Sequence, residues 1–133
     1  MSATSNRVAV FTAPRKIELR TEPVPEPGRG EALVRVRACA LCTMEQRLWR
    51  GTQDDYPIAA GHEAAGEVVT VGGDSSHGFS PGERVAIAFL DRCMQCAPCR
   101  RGDTHLCVGK LQGRKKNTFR RIGGLSDYAV VPT

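Results

Sequence analysis

Four cysteines within fifteen residues constrain this chain more than any other feature: Cys93-Met-Gln-Cys96-Ala-Pro-Cys99, then Cys107 after a seven-residue gap that contains Gly102. Four thiolates can surround one zinc ion tetrahedrally, with each sulfur about 2.3 Å from the metal. The two-residue spacers let successive sulfurs turn inward around one ion, and the longer gap lets the chain loop back to deliver the fourth. Four sulfurs leave no open coordination position, so a zinc held this way is structural. Its binding would be coupled to the folding of a lobe spanning about residues 91–110. Reduced thiols or a disulfide pair in a loop are the competing reading. Context weighs against a disulfide framework: Met1 to Val10 contains no apolar run long enough for a signal peptide. A reducing cytosol is then the default compartment, where clustered thiols indicate metal.

The rest of the chain is patterned as short strands. Val8, Val10 and Phe11, then Ile17 and Leu19, read as two strands separated by a turn at Pro14. Pro23, Pro25 and Pro27 with Gly28 and Gly30 mark a loop that cannot join a sheet ladder. Glu31 to Ala38 alternates, with Val34, Val36 and Ala38 on one face and Arg35 and Arg37 on the other, as a half-buried strand does. Glu67–Val71, Arg84–Phe89 and Leu125–Val131 are further apolar runs bounded by glycines. Only Thr43–Arg50 reads as a helix, with Met44 and Leu48 on one face, Glu45, Gln46 and Arg47 filling the turns, and Gly51 as the stop. Such a pattern predicts a mainly β fold, a partly open barrel or sandwich. The 133 residues suffice for one domain with a core, and aromatics are scarce (four Phe, two Tyr, one Trp), so that core rests on Val, Ile, Leu and Ala.

Composition excludes some partners. No window approaches the roughly 18 apolar residues of a membrane span. The formal net charge of +5 falls short of the dense basic face of a nucleic-acid binder. Part of that charge lies in Arg114-Lys115-Lys116 and Arg120-Arg121, which reads as a solvated loop, with an anion-binding site as the alternative.

A second group of candidate ligands lies upstream: Cys39, Cys42 and Gly61-His62-Glu63. A catalytic zinc needs about three protein ligands and one open position for water or substrate. Cys42, His62 and Glu63 would supply this if the fold brought them together, although each alone is more often a packing residue than a ligand. Cys39 reads as packing, and His77 and His105 as solvated.

Taken in order, Ala38-Cys-Ala-Leu-Cys42, Gly61-His62-Glu63-Ala-Ala-Gly66-Glu-Val-Val, Pro81-Gly82-Glu-Arg-Val85, the Cys93 lobe and Gly124-Leu-Ser-Asp-Tyr128 resemble the zinc-dependent medium-chain alcohol dehydrogenases from about Val8 onward. The resemblance implies a GroES-like β-barrel catalytic domain over residues 1–133 with two zinc ions. Cys42 and His62 would take catalytic ligand positions, with Glu63 as an exchangeable or alternative ligand. Cys93, Cys96, Cys99 and Cys107 would hold the structural ion. Phe89, Met44 and Trp49 would shape the substrate pocket, and Thr43 would lie near the pyrophosphate of NAD or NADP. It implies a cytoplasmic enzyme, a homo-oligomer at full length, that oxidises an alcohol or polyol or reduces the matching carbonyl.

Two departures bear on that expectation. Alcohol-oxidising relatives usually carry Ser or Thr two residues after the catalytic Cys, as a proton relay; here Met44 cannot carry a proton. Glu45 replaces a usual Asp, and Arg47 takes the place of a common relay His. Either another group moves the proton, or the substrate differs, or the site holds no working zinc. The other departure is an absence: a dinucleotide site needs a Gly-x-Gly-x-x-Gly turn between strand and helix, and none occurs here. The expectation is of a truncated chain, inactive alone, whose nucleotide-binding half and a further zinc ligand lie downstream. Two other readings stand beside it. A small zinc-binding interaction module, touching nucleic acid through Arg114–Arg121, explains the lobe but not the upstream group. A chaperonin-like barrel explains neither.

Overall fold

A computed structural model of the chain describes residues 4–52, 56–73, 78–88, 92–108 and 123–133. Phe89, His77 and the basic run from Arg114 to Arg121 lie outside the described residues. Strands β1 (Ser5–Ala13) and β2 (Lys16–Pro23) form a hairpin around Pro14-Arg15, and β3 spans Glu31–Ala40. Helix α1 (Thr43–Arg50) follows, then β4 (Ile58–Ala59), β5 (Glu63–Val71) and β6 (Arg84–Ala86). The lobe carries α2 (Ala97–Arg100) and a 3-10 turn over Thr104–Leu106, and β7 is Tyr128–Pro132. The strands form two antiparallel sheets, ordered β2-β1-β4 and β6-β5-β3-β7. The expected mainly β architecture is what the chain adopts, arranged as these two sheets.

Several local expectations need correction. The lobe is partly helical, because Pro98 at the start of α2 has its φ set for a helix and no N–H to leave unpaired. Among the described residues of the Arg84–Phe89 run, the strand spans Arg84–Ala86, which is the stretch that pairs with Glu67–Ala65 of β5. Pro23 closes the last rung of β2 opposite Ser5, tolerated because β2 is an edge strand and the missing N–H faces no further ladder. In β3 the clean alternation breaks at a register shift between Val36 and Ala38, which leaves Ala38 exposed while Val34 is wholly buried.

Two apolar clusters hold the sheets. Ala32, Val34, Val68 and Val131 pack with Val71, Val85 and Ile87 between β3, β5 and β7. Phe11, Leu48 and Ala60 pack with Tyr56, Ile58 and Leu125, so Leu48 fastens α1 onto β1. Where the sheets meet, a buried amide replaces a strand ladder: Asn6 Nδ2 donates to the Tyr128 carbonyl at 3.0 Å, and the Tyr128 N–H donates to Asn6 Oδ1 at 2.9 Å. That corner fixes the turn before β7, on which the upstream ligand group rests.

Candidate metal centres

Cys42 is the N-cap of α1. Its Sγ accepts the Met44 N–H at 3.2 Å, and the Glu45 carboxylate returns to accept the Cys42 N–H at 2.9 Å. This is a capping box with a thiol in place of the usual hydroxyl. It also lays the sulfur against the first turn of the helix.

His62 arrives from a different element. It follows Gly61, whose φ is +96°; a Cβ there would come within 2.5 Å of the Leu125 nitrogen and 2.9 Å of Cys39 Sγ. Only glycine fits. The Gly124 N–H donates to the Gly61 carbonyl at 2.8 Å and the Leu125 N–H to the Ala60 carbonyl at 3.1 Å, so the turn before β7 clamps the backbone beside His62. Cys39 therefore packs against Gly61 and Gly124, and burial pushes its thiol pKa up.

The two converge. His62 Nε2 lies 3.3 Å from Cys42 Sγ, and the imidazole is 6% exposed. Its other nitrogen, Nδ1, lies 3.4 Å from Glu45 Oε1, which also accepts the Gly61 N–H at 3.3 Å. Glu63, the first residue of β5, is exposed and completes the group: one donor atom from each of Cys42, His62 and Glu63 lies within 4.8 Å of the others. Bond lengths of about 2.3 Å to sulfur and about 2.0–2.1 Å to nitrogen set tetrahedral sulfur and nitrogen ligands roughly 3.5 Å apart. The observed separation fits one zinc ion held by three protein donors.

Glu45 is the residue whose role the pattern analysis missed. It does more than fill a turn of α1; it is 4% exposed and bridges helix, glycine turn and imidazole. Burial pushes its carboxyl pKa up, but the backbone N–H groups of Cys42 and Glu45, the Cys42 thiol and His62 outweigh this and hold it below the ordinary carboxylate value. The three-residue interval from Cys42 was the available signal, since it is the N-cap to N3 spacing.

The lobe gathers its four sulfurs. Those of Cys93, Cys96, Cys99 and Cys107 lie within 4.8 Å of one another, and Cys99 and Cys107 are buried. Four sulfurs at about 2.3 Å from one zinc would stand roughly 3.8 Å apart, so this set also fits. Backbone N–H groups turn toward the sulfurs: Cys93 N–H to Cys107 Sγ and Cys96 N–H to Cys93 Sγ, both at 3.3 Å. Met94, inside the first Cys-x-x-Cys interval, has φ +53° and is 65% exposed. A left-handed conformation costs a side-chain-bearing residue about 1–2 kcal/mol, part of which glycine returns through its freer unfolded chain. Met94→Gly is therefore expected to stabilise the lobe by up to about 1 kcal/mol, read as a higher melting temperature. A lower one would show that the methionine side chain has a packing role.

The other expected site residues are placed more loosely. Met44, half-buried, sits one turn-residue from the cluster through its N–H to Cys42, and Thr43 is exposed at the first helical position. Trp49 lies at the far end of α1, 44% exposed, where its carbonyl accepts the Arg15 N–H. That carbonyl ties this end of the helix to the β1–β2 turn and not to the cluster. His105 is exposed in the lobe.

A two-sheet β domain that carries one four-sulfur group and one mixed Cys–His–Glu group is the class of protein this geometry defines. The model of the alcohol dehydrogenase GroES-like domain matches residues 28–133, and the chain belongs to that family. It is 36% identical over 120 residues to L-threonine 3-dehydrogenase of Pyrococcus abyssi, covering 86% of this chain and 33% of the relative. It is 30% identical over 132 residues to L-galactonate-5-dehydrogenase of Escherichia coli K12, covering 94% and 36%. Among solved structures, the cobalt- and zinc-bound thermostable alcohol dehydrogenase from Pyrobaculum aerophilum superposes with a TM-score of 0.77 at 30% identity, covering 96% of this chain and 39% of that one. The chain thus spans about a third of the length of these relatives. No helix among the described residues is long and apolar enough to cross a membrane.

Proposed function

We propose that residues 1–133 form the metal-binding catalytic domain of a nicotinamide-dependent oxidoreductase that interconverts a small alcohol or polyol and its carbonyl. The observation that carries this reading is the convergence of Cys42, His62 and Glu63 around one point, with a buried carboxylate aimed at the far nitrogen of the histidine. A purely structural zinc module has no use for such a second set of three donors.

In this reading Cys42, His62 and Glu63 hold a catalytic zinc, and Cys93, Cys96, Cys99 and Cys107 hold a structural one. When bound, zinc supplies Lewis-acid polarisation of a substrate oxygen, and NAD or NADP supplies the hydride chemistry. The chain's own residues do the positioning. Glu45 accepts from Nδ1–H, which leaves the Nε2 lone pair facing Cys42 Sγ and the metal position. Exposed Glu63 sits where it can bind or leave the ion. Met44 borders the cluster and carries no exchangeable proton, so the substrate proton leaves by another route and Met44 shapes the pocket instead, whereas Trp49 lies at the far end of α1. Thr43, exposed at the start of α1, offers one hydroxyl to the cofactor pyrophosphate. The nucleotide-binding portion is a separate domain outside these residues, and the cytoplasm and a homo-oligomeric whole enzyme are part of the same proposal.

Metal content tests it. The chain is expected to carry one zinc that resists a mild chelator and a second that is lost to it, because the second set has only three protein donors, one of them exposed. Calorimetry is expected to show no binding of NAD or NADP by the chain alone, since no glycine-rich turn presents helix-start amides to a pyrophosphate. A single zinc per molecule, unchanged in His62→Ala, would favour the interaction module and remove the catalytic reading.

A further inference from the structure

Strand β2 is the outer strand of its sheet, and among the described residues no other strand lies along its free edge. It is also exposed nearly throughout, and it keeps two large apolar side chains in water: Ile17 is 47% exposed and Leu19 79%. These share one face of the strand with Thr21. The other face carries Lys16, Glu18, Arg20 and Glu22, which alternate in sign. Within the strand Glu18 lies 3.0 Å from Lys16 and 3.4 Å from Arg20, which confirms that these side chains share a face.

Charges on an edge strand ordinarily discourage pairing with another chain. The order found here has the opposite consequence for one particular partner. Running Lys16-x-Glu18-x-Arg20-x-Glu22 backwards exchanges every sign. An antiparallel copy centred on Leu19 therefore sets Lys16 opposite Glu22, Glu18 opposite Arg20, and the same two pairs again across the two-fold axis. Directly opposite residues in an antiparallel ladder share a face, and opposite charges in that position attract. On the other face Leu19 meets Leu19, and Ile17 meets Thr21, covering the two exposed apolar side chains. Sliding by one pair in either direction sets Glu18 against Glu18 or Arg20 against Arg20, and sliding by two leaves two attractive pairs in place of four, so the charges favour the register centred on Leu19.

We propose that β2 is an isologous interaction surface through which two copies of this chain pair edge to edge, antiparallel and centred on Leu19. The surface is self-complementary, as a two-fold contact requires, and it uses no residue of either metal centre.

Sedimentation equilibrium over a wide range of concentration tests this, with variants that break and restore the charge order. The wild-type chain is expected to move from monomer toward twice the monomer mass as concentration rises, and added salt weakens the association because exposed charges are screened. Glu18→Arg alone sets arginine against arginine across the axis, and Arg20→Glu alone sets glutamate against glutamate, so each variant by itself is expected to lose the dimer. Mixed in equal amounts, the two variants set the arginine pair of one strand against the glutamate pair of the other, and a heterodimer is expected to return. Recovery in the mixture also shows that both variants are folded. A wild-type chain that stays monomeric throughout, a single variant that associates as well as wild type, or a mixture that stays monomeric would each overturn the proposal.

Discussion

Cys99→Ser is expected to strip the lobe of its zinc and to lower stability by on the order of 5 kcal/mol, a fraction of the roughly 10–16 kcal/mol that zinc binding contributes in small metal-folded peptides. The lobe has little else to hold it. Among its described residues the regular structure is a four-residue helix and a 3-10 turn, and Met94, Leu106 and Val108 all face solvent. Serine keeps the size of the side chain but does not ionise near neutral pH, so it cannot replace a thiolate ligand. Without metal two of the thiols differ sharply: burial pushes Cys99 up to about 12, while the Cys99 backbone N–H holds Cys96 down to about 6. Loading zinc at neutral pH therefore releases protons, that of Cys99 among them, and acid reverses the binding. Zinc content and a melting curve check the variant together. Full zinc with an unchanged melting temperature would remove Cys99 from the ligand set.

Glu45→Ala is the second large effect, although Glu45 would not itself touch the metal. The variant loses half of a capping box and leaves the Gly61 N–H without its buried acceptor. Together these are expected to cost about 2–4 kcal/mol. It also frees the imidazole to turn, and loss of such an orienting partner typically weakens metal binding by about 10–100-fold. The two effects separate in Glu45→Gln. Its carbonyl oxygen keeps one of the two backbone bonds, to Cys42 or to Gly61, while its amide faces the other donor. Stability is expected to recover in part, and metal affinity at the Cys42–His62 group to remain low. Competition with a chelator, read with the lobe zinc as an internal reference, measures this. Unchanged affinity in both variants would mean that the carboxylate fastens the helix and does not position the histidine.

Much of this was legible because it is local. The two-residue spacers of the lobe bring its sulfurs together in almost any fold, and α1 begins and ends where Cys42 and Gly51 indicate because caps and stops act within one turn of their own sequence. The hairpin around Pro14-Arg15 and the long strand from Glu31 were likewise written in alternation and punctuation. The upstream candidates were assigned as ligands only through the resemblance to a dehydrogenase family, because a Cys opening a short helix and a His on a distant turn form no local motif.

What sequence alone left open was whether those ligands meet. Cys42 and His62 are twenty residues apart, and the contact that sets His62 joins Gly61 to Gly124 across the chain. It depends on β7 pairing with β3 in one register and on the Asn6 amide closing the corner between sheets. No local pattern encodes such a pairing, because each partner strand is compatible with many registers until the core fills. Burial of Glu45 follows from the same event: an acid one turn into a helix faces water or protein according to what the rest of the chain lays over it. The sequence by itself determined which residues could bind metal, and the tertiary structure decided which of them come within reach of one another, because ligand chemistry is local and convergence depends on the register of distant strands.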